Sequence, residues 1–203
     1  FEGEYPRIYD NSSLSNQLDN YTDATIILES YYLDDFAAIW SNPLFDFETP
    51  TYSLHIVSTL NPEPSSNYSR YWGGFRVPYR FLLAFFDVVE IRHIVSICFF
   101  SLFAVAAYIV LKYAGIVPAA VFWFSIISVK PEIISNSFQF SCCFFIVFLA
   151  ILFLPYITKD ERICLLYLFV IGGVTQFFDF YTTPIITFGF PFCLYVIVKY
   201  NEI

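Results

Sequence analysis

The chain of 203 residues is 58% hydrophobic and only 14% charged, whereas an ordinary soluble domain carries about 25% charged residues. This composition favours a membrane protein. The net charge of −8 lies wholly in residues 1–92, which hold 13 acidic and five basic side chains, and it excludes the clustered Lys and Arg that nucleic-acid binding needs. The chain begins at Phe1 and contains no methionine, so we expect it to be a fragment of a larger protein.

Residues 1–69 are predicted to form an acidic extracytoplasmic loop domain, because they contain no apolar run long enough to cross a bilayer. A helix is predicted over about 22–40, with Asp23 in its first turn. Residues 41–50 and 61–69 read as loops, and 51–60 could be a strand or a helix.

Residues 70–92 predict an amphipathic helix that lies in the membrane interface. Apolar residues recur near helical spacing between Arg76 and Arg92, and Tyr71 and Trp72 are residue types that favour the headgroup level. The alternative is an ordinary amphipathic helix packed on a soluble core. A membrane span begins directly after this segment, so the interfacial interpretation is favoured.

Residues 93–203 predict about five transmembrane helices, near 93–111, 116–129, 138–157, 163–178 and 184–198. Basic residues gather in alternate turns, at Lys112, at Lys159 and Arg162, and at Lys199. The positive-inside rule therefore places those turns in the cytoplasm and residues 1–92 outside, with a further span expected before Phe1. The predicted fold class is an all-α polytopic membrane protein with an extracytoplasmic first loop.

The five cysteines, Cys98, Cys142, Cys143, Cys164 and Cys193, all lie in apolar runs and predict no disulfide framework. The two histidines and the cysteines form no zinc-type cluster. No metal site or cofactor is assigned from these residues.

Asp19 and Asp23 are the first candidate catalytic residues. Two carboxylates four residues apart at the start of a helix can point to one side, where they could act as a general base or hold a divalent cation. Helix capping is the alternative explanation. Asp179 is the third candidate, because a carboxylate at the end of an apolar run faces a cavity or headgroup water. Gly172 and Gly173 would allow close helix packing beside it.

An aromatic and basic segment gives the candidate binding residues. Arginines beside aromatic rings and a Gly-Gly pair at 73–74 could bind a phosphate or a sugar ring. Anchoring to anionic lipid headgroups is the alternative. The candidate substrate-binding residues are Arg70, Tyr71, Trp72, Arg76 and Arg80.

Three segments carry a resemblance to known proteins: LDNYTDA at 18–24, SRYWGGF at 69–75 and FFDFYTTP at 177–184. They look like segments of an uncharacterised bacterial family of multi-spanning membrane proteins. The order of parts resembles the C-type-fold (GT-C) glycosyltransferases. That resemblance implies a bacterial plasma-membrane enzyme that moves a sugar from a polyprenyl-phosphate donor to a cell-envelope acceptor at the outer face, with Asp19 or Asp23 as catalytic base.

A non-catalytic multi-spanning membrane protein is the alternative, either a transporter component or an envelope assembly factor. The predicted spans contain few polar residues, which counts against a transporter. Both hypotheses make membrane lipids a partner of the chain.

Overall fold

The computed structural model of the chain describes residues 20–31, 42–44, 66–68, 73–157, 161–178 and 183–201. Within these ranges the fold is helical, as predicted, apart from two short strands. Strands β1 (Asn42–Leu44) and β2 (Ser66–Tyr68) pair antiparallel in segments that the sequence predicts as loops, because three residues are too few to show a periodicity. The helices are α1 (Asn20–Tyr31), α2 (Arg76–Leu83), α3 (Val88–Ala114), α4 (Ile116–Ser128), α5 (Pro131–Ile134), α6 (Phe138–Ile157), α7 (Glu161–Phe178) and α8 (Pro184–Asn201).

A capping box interrupts the interfacial helix predicted over 70–92, and the described part of that segment forms two helices. Asp87 precedes α3, where its Oδ1 accepts the Glu90 N–H at 2.8 Å and Glu90 Oε2 accepts the Asp87 N–H at 3.0 Å. The box fixes the start of α3 at residue 88, five residues before the predicted start of the span. Gly115, whose φ of 94° suits glycine, then separates α3 from α4.

Helix α6 lies at the centre of the bundle, in contact with α1, α3, α5, α7 and α8. Two thirds (67%) of its most apolar 18-residue window is buried, against 33% for α3. Phe148 of α6 anchors an aromatic core, because its ring lies 5.2 Å from Phe99, 5.8 Å from Phe103 and 6.4 Å from Phe122, centroid to centroid. Such pairs each add about 0.5–1.5 kcal/mol beyond burial.

One end of the bundle, hereafter the polar end, carries α1 and α2. The starts of α3 and α6 lie there, since Ser96 Oγ in α3 donates to Ser135 Oγ just before α6 at 3.1 Å. Helix α7 finishes there, since the Gly74 N–H, just before α2, donates to the Phe177 carbonyl at 3.0 Å. Helix α1 packs on α2 and α6 through Ile26, which is fully buried.

The opposite end holds the last turns of α3, α6 and α8. Ala114, Leu154 and Val198, one from each of these helices, line a single apolar crevice. Helices α3, α6 and α8 therefore run away from the polar end, and α4 and α7 return towards it. This alternation of direction is the one that the predicted spans require.

Each of the five predicted spans is a helix, with ends within about five residues of those predicted. Two helices in the described part of the chain, Val88–Ala114 and Phe138–Tyr156, are long and apolar enough to cross a membrane. Ile116–Ser128, Arg162–Phe178 and Ile185–Tyr200 are apolar but shorter. Five crossings therefore stay a prediction.

Candidate functional site

Asp23 joins three helices at the polar end. It lies in the first turn of α1 and is fully buried. Its Oδ2 accepts from Arg92 Nη2 of α3 at 2.9 Å, and its Oδ1 accepts from the N–H of Phe138, the first residue of α6, at 2.9 Å. The first N–H groups of a helix have no partner inside the helix and carry the positive end of its dipole. Asp23 therefore caps α6 from another helix.

This arrangement favours a structural role for Asp23. The position of Asp23 predicts that it caps its own helix α1, whereas the structure shows it capping α6. Capping of its own helix is the sequence-based alternative, whereas the structure shows both carboxylate oxygens engaged by α3 and α6. A general base needs a carboxylate oxygen within hydrogen-bonding reach of the substrate. With both oxygens occupied, Asp23 is poorly placed for proton transfer.

Arg76 is the corresponding cap at the other end of α1. Its guanidinium is buried, and Nε donates to the Glu29 carbonyl oxygen at 2.9 Å. That carbonyl is among the last four of α1, which lack partners inside the helix and favour a cation. Arg76 was a candidate for phosphate or sugar binding, and the structure instead directs it into the protein. Arg80, four residues further along α2, is exposed.

Among the described residues at the polar end, Glu29 is a buried titratable group with a carboxylate oxygen that is not engaged in a hydrogen bond. Its side chain is 4% exposed, and Oε2 finds no hydrogen-bond partner among the residues that the structure describes. Burial raises the pKa of the carboxyl to about 8, and the positive charge of Arg76 opposes this in part. Near neutral pH the group is mostly protonated with a minor ionised fraction, so it can both donate and accept a proton.

Sequence reasoning missed Glu29 because no motif marks it. The available signal was its place directly after three apolar residues, Ile26, Ile27 and Leu28, in a predicted helix. A carboxylate in such a run is costly to bury and therefore merits attention as a functional candidate. Whether it becomes buried depends on α2 and α6, which lie far away in the sequence.

Tyr79 of α2 completes the hold on the start of α6. Its hydroxyl donates to the Phe138 carbonyl at 3.1 Å and lies 3.4 Å from Ser141 Oγ and 3.6 Å from Cys142 Sγ. Burial raises the pKa of Tyr79 well above its usual value, so it stays a neutral donor. The Phe138 ring packs against Tyr79 at 4.8 Å and under the Arg92 guanidinium at 5.5 Å. Phe138 is thus fixed through its N–H, its carbonyl and its ring.

The Gly-Gly pair is a point of close packing between the start of α2 and the end of α7. The Gly74 N–H is used by the Phe177 carbonyl, and a Cβ on Gly74 would lie 2.3 Å from ring atoms of Phe177. Gly73 has a φ of 64°, which allows the chain to turn into α2. By contrast, a Cβ at Gly172 or Gly173 would meet no atom of the described residues within 4 Å, so neither glycine marks a close helix approach among them.

The remaining candidates lie outside the described residues. These are Asp19 and Asp179 among the catalytic residues, and Arg70, Tyr71 and Trp72 among the binding residues. The roles predicted for these five residues therefore stay predictions. Within the described ranges, no three His, Cys, Asp or Glu side chains are grouped so that they could hold a metal ion.

Comparison with known proteins leaves the site to be judged on its own geometry. No protein-family model, no curated protein and no solved structure matches this chain. The resemblance to C-type-fold glycosyltransferases consequently depends on the order of the parts.

Proposed function

We propose that the chain is part of a multi-pass protein of the bacterial plasma membrane. In this proposal five helices cross the membrane: α3, α4, α6, α7 and α8. The support is the large apolar surface that these helices turn outward. Water-soluble monomers rarely expose contiguous apolar patches of more than a few hundred Å². Exposed large apolar side chains on these helices include Ile97, Phe100, Val105, Phe124, Phe153, Leu165, Phe169, Ile185 and Val196.

Charge supports an orientation with the polar end outside. Lys112 ends α3, Arg162 begins α7 and Lys199 ends α8, so these three basic residues belong to the end opposite Asp23 and Glu29. Positive residues in short connections favour the cytoplasmic side. In this orientation α1 and α2 form an extracytoplasmic cap on the membrane bundle.

The activity that we propose is transfer of a sugar from a polyprenyl-phosphate donor to an envelope acceptor at this outer cap. A base would take the proton of an acceptor hydroxyl while the oxygen of that hydroxyl bonds to the anomeric carbon of the sugar. The bond from that carbon to the phosphate oxygen breaks, and the polyprenyl phosphate leaves with the electron pair. We assign the proton transfer to Glu29, with Arg76 favouring the carboxylate form that the step requires.

One observation carries this assignment. Glu29 is a buried carboxyl at the polar end whose Oε2 has no partner in the described part of the chain, while both oxygens of Asp23 are occupied. Buried carboxyls with a raised pKa near neutrality are typical of acid–base sites. The membrane boundary beside it is where the head of a lipid-linked donor would lie.

A non-catalytic envelope assembly factor is the second candidate function. It is favoured by the way in which Asp23 and Arg76, both candidate site residues, are used to cap helices. Under this alternative the polar cluster serves only to hold α1 and α2 on the bundle.

The test is sugar transfer by the full-length protein in proteoliposomes supplied with a radiolabelled polyprenyl-phosphate sugar and envelope extract. We expect Glu29→Gln to lower the transfer rate by at least about 100-fold, the usual scale for loss of a general base. Glu132→Gln is the matched control, because Glu132 is exposed at the same end of the bundle. We expect it to keep the parent rate.

Other outcomes separate the hypotheses. Parent-like transfer by Glu29→Gln would exclude Glu29 as the base, and loss in Asp19→Asn or Asp179→Asn instead would place the base there. Absence of any transfer by the parent, with normal folding, would favour the assembly factor. Circular dichroism of each variant distinguishes a loss of activity from a loss of folding.

A further inference from the structure

Helix α2 has two unlike faces, and its outer face is aromatic. Arg76 and Tyr79 point into the protein and are buried. On the outer side of the helix Phe81 is 66% exposed, and in the turn that follows the helix Phe85 is 68% and Phe86 41% exposed. The rings of Phe81 and Phe85 pair at a centroid distance of 5.3 Å. We call these three phenylalanines the aromatic foot.

The foot lies level with the start of a candidate span. A turn of four residues joins α2 to α3, and Leu82 and Leu83 pack against a buried cluster that includes Ile91 and Val95 of α3. Below them, the exposed surface of α3 continues as apolar side chains, beginning with Ile97. Exposed Glu90 and His93 lie between the foot and Ile97 along the chain, so the foot lies at the level where the exposed surface passes from polar to apolar.

The charges around the foot oppose an electrostatic attachment. Arg76 and Arg92, two of the arginines near it in sequence, are buried and hold Glu29 and Asp23. Arg80 is exposed, and so are the two carboxylates of the capping box, Asp87 and Glu90. Among the described residues, this segment therefore has no excess of exposed positive charge that would attract anionic lipid.

We propose that the aromatic foot inserts into the boundary between headgroups and acyl chains of the outer leaflet, through burial of its rings. The arginine-to-headgroup anchoring expected from the sequence is replaced by an apolar contact. The contact holds the cap that contains Glu29 at a fixed height above the bilayer. It depends on the membrane embedding in the proposed function but not on sugar transfer.

The test is depth-dependent quenching of tryptophan fluorescence in nanodiscs that contain brominated lipids. Phe85→Trp reports the depth of the foot in the bilayer. The emission of the three natural tryptophans is measured in the parent protein and subtracted. Phe169→Trp is the deep control, since Phe169 is 78% exposed near the middle of α7. Glu132→Trp is the water-exposed control at the polar end. Phe81→Trp is the second foot variant, in case one substitution disturbs the fold.

We expect bromine near the headgroups to quench the foot variants about twofold more than bromine near the bilayer centre, because interfacial helices bury their apolar face about 5–10 Å deep. Phe169→Trp should show the reverse preference and Glu132→Trp little quenching. The result for the foot should be equal in zwitterionic and anionic lipid and should survive high salt.

Three results would overturn the proposal. Foot variants that resemble Glu132→Trp would show that the foot faces water or protein, and foot variants that resemble Phe169→Trp would place it in the acyl core. Quenching that needs anionic lipid and is lost in salt would restore the electrostatic anchor. Failure of Phe169→Trp to be quenched would refute the membrane embedding itself, separately from the foot.

Discussion

The buried ion pair between Asp23 and Arg92 gives the sharpest stability prediction. Asp23→Ala leaves the Arg92 charge uncompensated in a buried site and removes the acceptor of the Phe138 N–H. Breaking a buried pair in this way costs about 3–5 kcal/mol of unfolding free energy. Arg92→Met, which strands the carboxylate, should cost about 3 kcal/mol.

The double variant of Asp23→Ala and Arg92→Met separates pairing from simple loss of contacts. With neither charge present, its free energy of unfolding should fall by about 3 kcal/mol less than the sum of the two single losses. Equilibrium unfolding in mixed micelles, followed by circular dichroism, measures all three variants. Additive losses, or single losses below about 1 kcal/mol, would contradict the pairing that we describe.

Three further predictions concern stability. Burial holds the proton on Glu29, so unfolding free energy should fall by roughly 5 kcal/mol as pH rises from 4.5 to about 8, and thermal unfolding of Glu29→Gln should lack this slope. Gly74→Ala should lower the free energy of unfolding by about 1–3 kcal/mol, because the added Cβ collides with Phe177. Gly173→Ala, whose Cβ meets no described atom, should raise it by up to about 1 kcal/mol. Equal effects of the two variants in chemical unfolding would count against this packing. Asp87→Ala should cost about 1 kcal/mol by loss of the cap, detected as faster amide exchange in the first turn of α3.

The sequence predicts the positions of the long helices well, because their limits are set locally. Gly115, the pair Lys130–Pro131 and Pro184 interrupt apolar runs that are otherwise continuous, and α6 occupies the predicted range 138–157. Apolar runs of this kind form helices whatever their neighbours are. The break between α2 and α3 was also readable from Asp87 and Glu90, whose three-residue spacing is that of a capping box.

The use of the charged residues was not predictable, because it depends on distant partners. Asp23 meets Arg92, 69 residues away, and the N–H of Phe138, 115 residues away. Local pattern shows only that a carboxylate lies near the start of a helix, and that position fits a cap, a base or a metal ligand. Tertiary packing decides between these roles and makes Asp23 the cap of another helix, α6.

Burial is the second property that local pattern leaves open. The apolar residues before Glu29 indicate that its burial would be costly but not that it occurs, and no local pattern marks Arg76. Both side chains are nevertheless enclosed where α1 meets α2. The same packing turns Phe81 and Phe85 outward, so an apparently basic and aromatic segment presents mainly its aromatic rings. Among the described residues, Glu29 therefore replaces Asp23 as the proposed base, whereas Asp19, Asp179 and Arg70 stay predictions.

The most direct test of the account is the titration of the Glu29 carboxyl in the full-length protein. Carbon-13 NMR of glutamate-labelled protein in nanodiscs follows each carboxyl with pH, and Glu29→Gln identifies the resonance. We predict one carboxyl that is still protonated at neutral pH and titrates near pH 8, missing from the variant. A Glu29 resonance that titrates at about 4–5, as free glutamate does, would contradict the buried acid on which the proposed proton transfer depends.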